Sequence, residues 1–330
     1  MKTTEKSFLL SLAAAFTFGI VSTTPANATE NWPDKPITYV VPFSPGGSTD
    51  IVGRTYAQAI GADLGVPVVV ENKPGMGGSL GAAYASRAKP DGYTLLGGSI
   101  SSQAVNVSLY PNIGYDPLTS FMPVIMTASV PNVLLVRADS TIKSVDDLIA
   151  KAREKQDGVT YGSAGVGSSH HLAGALFADT IGSQMLHVPY KGSAPALQAL
   201  VAGDIDILFD NLTSAVPLVE SGRLRALAIT SSSPSEALPN IKPLKDLGLK
   251  DYEVVSWRAV YVPAGTPQAI VDKLYTVLHA ALQKPAVQDR LKGMGMTISG
   301  AGPEELATFQ KTEIAKWAAL IRKANIKVNN

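Results

Sequence analysis

Cysteine is missing from all 330 residues. Its absence excludes a thiol nucleophile, a cysteine-ligated zinc site, a disulfide framework and lipid attachment at a cysteine. Histidine is scarce: His170, His171, His187 and His279 are the full set. No H-x-x-x-H spacing or matching carboxylate accompanies them, so a metal site has no ligand pattern. Adjacent residues on a helix point in different directions, and His170-His171 therefore reads as packing or capping. There is no G-x-x-x-x-G-K-[ST] stretch, so the many glycines do not form a nucleotide P-loop. No cofactor and no metal are expected. Excess charge is lacking too, with 28 basic and 27 acidic residues. A near-neutral chain without a basic cluster is a poor partner for nucleic acid or anionic lipid.

Long apolar runs are confined to the start. Lys2 and Lys6 precede an apolar stretch from residue 8 to 21, and Ala26-Asn27-Ala28 follows. This order reads as a secretory signal peptide, residues 1–28, cleaved before Thr29. The stretch falls short of the roughly 20 residues that span a bilayer. Removing Lys2, Lys6 and Glu5 leaves 26 basic and 26 acidic residues. The expected location is periplasmic.

What is present is a recurring unit of strand, Gly/Ser-rich loop and helix. Residues 37–41 read as a buried strand, 43–49 as a loop, and Ile51, Val52, Tyr56, Ile60 and Leu64 fall at helical spacing. The pattern returns at 68–70 with a helix over 79–88, and at 93–96 before Gly97-Gly98-Ser99-Ile100-Ser101-Ser102. It returns again at 159–161, at 186–188 with a helix over 195–202, and at 205–209 ending on Asp210. Gly203 suits the end of the 195–202 helix. Pro267 and Pro303 open helices toward the C-terminus. Strands alternating with helices predict α/β lobes with mainly parallel sheets, and ligands sit at the carboxyl ends of such strands. About 300 mature residues predict two lobes.

Phe43-Ser44-Pro45-Gly46-Gly47-Ser48-Thr49-Asp50 combines glycines that admit close backbone approach with a helix start that favours an anion. Taken alone it is equally a capped turn. The second hydroxyl-rich loop, Ser163-Ala164-Gly165-Val166-Gly167-Ser168-Ser169, tips the balance toward binding. Asp50 reads as a helix cap. Asp210 either receives a ligand hydroxyl or amino group or, the better supported reading, fills a cap or turn. Trp257 reads as core. Gly77-Gly78-Ser79-Leu80-Gly81 matches the G-x-S-x-G of serine hydrolases, but several loop residues separate Ser79 from its strand and no histidine is singled out as a partner. None of the candidate loops holds Lys or Arg, so a carboxylate would be held by backbone N–H groups and hydroxyls rather than by an ion pair.

The chain resembles the Bug, or TctC-like, extracytoplasmic solute receptors of tripartite tricarboxylate transporters. The resemblance rests on Pro36-Ile37 through Asp50, Val70-Glu71-Asn72-Lys73-Pro74-Gly75, Asp91-Gly92-Tyr93-Thr94-Leu95-Leu96 and Tyr161-Gly162-Ser163-Ala164-Gly165. Val188-Pro189-Tyr190-Lys191-Gly192, residues 222–230 and Pro263-Ala264-Gly265-Thr266-Pro267 complete it. One departure is Leu238-Pro239-Asn240-Ile241-Lys242-Pro243, where relatives often read Leu-Pro-Asp-Val-Pro-Thr. The resemblance implies two α/β lobes of a periplasmic-binding-protein-like fold, joined by two crossover strands, with a hinge and an inter-lobe ligand cleft. Lobe one would be residues 29–131 with 252–330, and lobe two 132–251. It implies a carboxylate held by the first loops of each lobe, often with ordered water. On this chain those are Phe43, Ser44, Gly46, Gly47 and Ser48, then Ser163, Gly165, Gly167 and Ser168, with Asp210 nearby. The implied role is capture of a small organic carboxylate by a monomer and delivery to permease subunits. A secreted serine hydrolase using Ser79 and a receptor feeding a sensor kinase stand as the alternatives.

Overall fold

A computed structural model describes residues 31–154, 158–324 and 326. The expected signal peptide lies outside these residues. The chain runs β1 (Ile37–Val41), α1 (Ser48–Leu64), β2 (Val68–Asn72), α2 (Ser79–Ser86), β3 (Thr94–Ser99) and the short α3 (Asn106–Leu109). A 17-residue strand, β4 (Phe121–Arg137), leads to α4 (Val145–Glu154), β5 (Thr160–Ser163), α5 (Ser169–Ile181), β6 (Leu186–Pro189) and α6 (Ser193–Ala202). Then come β7 (Ile207–Asn211), α7 (Leu212–Glu220) and β8 (Leu224–Ile229). The chain closes with β9 (Val255–Pro263), α8 (Gln268–Gln283), α9 (Pro285–Gly293), β10 (Thr297–Ile298) and α10 (Pro303–Lys323).

The fold is α/β and two-lobed. In one lobe β1 lies between β2 and β3, all parallel. In the other β5 lies between β6 and β7, again parallel. Strand β4 serves both. Its first part runs antiparallel to β9, from Phe121 opposite Pro263 to Pro131 opposite Val255. Its last part pairs antiparallel with β7 and β8. Strand β9 continues the first lobe by pairing antiparallel with β3. The mainly parallel sheets expected from the strand–helix alternation are thus a mixed sheet, because two long strands run against the βα units.

Several local expectations hold. Helix α6 ends on Gly203 in the left-handed region, and Pro303 occupies the first turn of α10. Val133, Leu134, Leu135 and Val136 of β4 are fully buried, as a strand covered on both faces must be. Trp257 is core. Its indole N–H donates to Glu313 Oε2 at 3.1 Å, and the indole of Trp317 donates to the same oxygen at 2.8 Å. Glu313 is itself buried, with Lys316 Nζ 3.3 Å from its other oxygen.

A second polar cluster, part-buried, packs around β5. The rings of His171 on α5 and His187 on β6 stack 4.1 Å apart, and Tyr161 stacks 4.8 Å from His187. Burial pushes the His171 imidazole down to about 4. Burial, and then the neighbouring ring, push His187 down to about 3. Kept neutral, His171 Nδ1 accepts the Gly167 N–H at 3.2 Å, and His187 Nε2 lies 2.7 Å from Ser163 Oγ. The imidazole pair braces the loop between β5 and α5.

These two clusters generate two expectations. Glu313→Ala orphans two buried indole donors at about 1–3 kcal/mol each, so urea denaturation should show a loss of roughly 2–5 kcal/mol, with Glu313→Gln milder because one acceptor survives. The histidines bind protons below about pH 6.5 when unfolded but not when folded until far lower, so their stabilisation is complete above pH 6.5 and falls as pH drops toward 4. Stability measured at pH 7 and pH 5 should differ by roughly 2–4 kcal/mol, and His187→Gln should flatten that slope. A slope unchanged in the variant would mean that other groups carry the acid sensitivity.

Candidate functional site

The carboxyl ends of β1, β5, β6 and β7 converge, and each is followed by a helix start. Between the lobes they enclose about 20 Å³ of free space, lined by side chains and backbone of both. That is room for about one water. Small-molecule sites usually enclose about 300–1000 Å³, so this conformation is shut more tightly than one holding a solute.

The helix starts are prepared for an anion. Gly47 and Gly192, the N-caps of α1 and α6, supply no side-chain acceptor to the first-turn N–H groups. Ser168 caps α5, accepting the His171 N–H at 3.3 Å. Asp50 ties down the loop before α1. Its carboxylate accepts from Gly46 N and Arg54 Nε on one oxygen and from Asn72 Nδ2 on the other, each at 2.9 Å. Burial pushes the Asp50 carboxyl up, but the bonds from Arg54, Gly46 and Asn72 outweigh it and hold it low. Asp50 therefore shapes the loop from below.

Of the residues singled out in the sequence, Phe43, Gly47, Ser48 and Ser168 line the cavity. The others surround it. Ser44 donates both its N–H and its hydroxyl to Lys191 O, at 3.3 and 2.8 Å, and so spans the lobes. Gly46 spends its N–H on Asp50. The Ser163 hydroxyl turns toward His187 and Gly165 N. Gly165 and Gly167 both take positive φ. A Cβ on Gly167 would stand 2.1 Å from Asn106 Oδ1 of the opposite lobe, so glycine here permits the lobes to meet.

Asp210 is fully buried and holds the lobe-two helix starts together. It accepts the Ser193 hydroxyl at 2.7 and 2.6 Å, the Ser214 hydroxyl at 3.2 Å and the Asn211 N–H at 2.7 Å. His170 Nε2 lies 3.3 Å from the same carboxylate. His170 lines the cavity, a position its reading as packing or capping did not anticipate. Burial is the main cause holding its imidazole below the usual range, against the pull of Asp210. Among the described residues no group of three or more His, Asp or Glu side chains could hold a metal.

The larger surprise is Arg258 on β9. It is 5 % exposed and lines the cavity, although neither candidate binding loop, 43–50 nor 163–169, contains Lys or Arg. Nη1 donates to Ser256 Oγ at 2.6 Å and to Trp257 O at 3.2 Å. Nη2 donates to Ser48 Oγ at 3.1 Å and to Asn211 Oδ1 at 2.6 Å. Asn211 Nδ2 in turn donates to Asn132 Oδ1 on β4. Burial pushes the guanidinium down to about 10, which leaves it charged at neutral pH. Ser99, Ser101, Ser169 and Ser193, which lie in the Gly/Ser loops of the sequence but were not among the expected site residues, also line the cavity, as does Asn211. Ser79 lies elsewhere, fully buried, its hydroxyl accepting Asn106 Nδ2 at 2.8 Å.

Residues 52–326 match the model of the tripartite tricarboxylate transporter family receptors, TctC. The solved periplasmic binding protein BugD is 36 % identical, with a TM-score of 0.87 over 90 % of this chain and 99 % of its own. An R. palustris protein solved with adipate is also 36 % identical, with a TM-score of 0.88 over 90 % and 99 % of the two chains. MatC from Rhodopseudomonas palustris, solved with bound malate, is 32 % identical, with a TM-score of 0.84 over 88 % and 100 %. Among the described residues no helix is long and apolar enough to cross a membrane. A closed two-lobed α/β fold, with helix starts from both lobes around one cavity, thus accompanies a family match over most of the sequence, and the chain belongs to the TctC family of tripartite tricarboxylate transporter receptors.

Proposed function

We propose that this protein is a periplasmic receptor that captures a small organic carboxylate between its lobes and delivers it to the permease of a tripartite tricarboxylate transporter. The observation that carries the reading is the convergence of the α1, α5 and α6 starts on one hydroxyl-lined cavity. Free N–H groups and the positive end of a helix favour an anion. The adipate and malate held by the two relatives support a carboxylate as that anion. Residues 1–28 serve as the cleaved signal peptide. Lobe one is 29–131 with 252–330 and lobe two is 132–251, so the crossings fall inside β4 and just before β9. Phe43, Gly47, Ser48 and Ser168 face the ligand, while Ser44, Gly46, Ser163, Gly165, Gly167 and Asp210 hold the loops that do. The receptor works as a monomer without cofactor. On this reading it binds without turnover: the hydrolase alternative needs an imidazole on Ser79, whose hydroxyl instead accepts the Asn106 amide.

A ligand larger than one water requires the lobes to part and close again about a hinge. In a panel of mono-, di- and aromatic carboxylates, at least one acid at a hundredfold excess over its Kd should stabilise the protein by about 2.7 kcal/mol. For a chain of this size that is a rise of roughly 5–10 °C in Tm. Since an acid can enter only when the lobes stand apart, the ligand-free protein in solution is expected to be mainly open, and small-angle scattering should show a monomer whose radius of gyration shrinks when that acid is added. An unchanged radius would refute the hinge.

Two substitutions in the first loop should behave differently. Ser48→Ala removes at most one hydrogen bond to a charged acceptor, on the order of 1.5–3 kcal/mol, so binding weakens and persists. Gly47 has an ordinary φ of −86°, so a side chain there meets no backbone barrier. A Cβ would instead stand 3.3 Å from Ser193 Cβ and 3.5 Å from Ser193 N across the cleft. The two further methyl groups of Gly47→Val should therefore block closure and abolish binding while circular dichroism stays native. Wild-type affinity in that variant, measured by titration calorimetry, would reduce the loop to a turn.

A further inference from the structure

Arg258 is a buried cation whose partners are all neutral. Among the described residues no carboxylate lies within 4 Å of it, and its four recorded acceptors are hydroxyl, amide and carbonyl oxygens. An ion taken out of water without a counter-charge is costly. Asp210, one residue from Asn211, is the nearest candidate to relieve it. Its oxygens are already taken by Ser193, Ser214, Asn211 N and His170. The guanidinium therefore has no carboxylate in hydrogen-bond contact, although the charge of Asp210 acts on it from further off.

The donors show where an anion would go. A guanidinium has five N–H groups. Nη1 and Nη2 each have two acceptors, whereas Nε is buried with none. The Nε–Nη2 edge is the side-on fork that matches the two oxygens of a carboxylate. On that edge the 3.1 Å bond from Nη2 to Ser48 Oγ is the longer of two, and Ser48 opens α1, whose first-turn N–H groups face the same cavity.

We infer that Arg258 is the residue that selects for the ligand's negative charge: its Nε–Nη2 edge takes a carboxylate in place of the Ser48 hydroxyl, which turns to donate to the same group. This rests on the carboxylate-receptor reading and replaces the purely neutral cradle expected from the loops with a cradle plus one ion pair. It also ties charge to closure. Arg258 belongs to β9 of one lobe and Asn211 to β7 of the other, so the side chain that receives the anion also bonds across the cleft at 2.6 Å. Arg258→Lys is accordingly not conservative, since an ammonium keeps the charge and loses the fork.

Titration calorimetry of the wild type with malate, adipate, glutamate and benzoate identifies the tightest acid. Arg258→Gln should weaken that acid by roughly 30- to 5000-fold, the range for breaking a buried, hydrogen-bonded charge pair. Arg258→Lys should fall between. Circular dichroism melts control for folding, because both variants disturb bonds to Ser256 and Asn211. A measurement on the wild type needs no variant to fold: the assigned Arg258 Nε–H resonance should shift as the acid is added. A folded Arg258→Gln protein that binds within twofold of wild type, or an Nε–H signal that ignores a bound acid, overturns the inference and leaves the receptor reading intact. A wild type that binds no acid of the panel overturns the receptor reading itself, and this inference with it.

Discussion

Antiparallel pairing of β4 with β9 is the constraint on which the site depends. These strands meet from Phe121–Pro263 to Pro131–Val255, and β4 then continues into the second lobe. The register sets Arg258 opposite Ala128 on one side and Ser99 on the other, and sets Asn132 opposite Asn211. One residue of slip would turn every side chain to the opposite face. Arg258, Asn211 and Asn132 would then no longer meet, and the cavity would lose both its cation and its bond across the lobes.

Strand β7 shows how one short element serves two purposes. Successive side chains on a strand point to opposite faces. Asp210 faces the helix starts of lobe two and gathers Ser193, Ser214 and His170. Asn211, its neighbour, faces Asn132 and Arg258. Structural negative charge and cross-lobe contact are separated by one peptide unit, which keeps the carboxylate away from the guanidinium. Had the two side chains shared a face, a direct ion pair would occupy the guanidinium's donors and leave none for a ligand.

The strand–loop–helix units were legible in the sequence because each is local. Periodicity marked β1 and α1, and Gly203 and Pro303 marked a helix end and a helix start. Strand β4 was not legible, since Pro123 and Pro131 lie inside it and proline argues against a central strand. The register shift between Pro123 and Ile125 shows how the sheet absorbs the first of them. The expected lobe limit at residue 131 lies within that strand. Arg258 carries a sequence signal of its own: one charge inside the apolar run 254–263 is costly to bury unless something receives it. Each glycine loop is a local motif, whereas Arg258 lies 210 residues from the Ser48 it touches. The partners of His170 and Asp210 were hidden for the same reason, because the contact closes a loop of 40 residues that no periodicity predicts.

The shared carboxylate of Glu313 has an optical consequence. The chain holds three tryptophans, and two of them, Trp257 and Trp317, donate to one Glu313 oxygen. Trp257 is the residue before Arg258 and lends it a carbonyl oxygen. Any tug on the β9 backbone at the site therefore reaches an indole whose excited state is sensitive to the charge it faces. The same carboxylate couples that indole to a second one on α10. Intrinsic emission should therefore report on the β9 backbone at the cleft, without a dye or an added label.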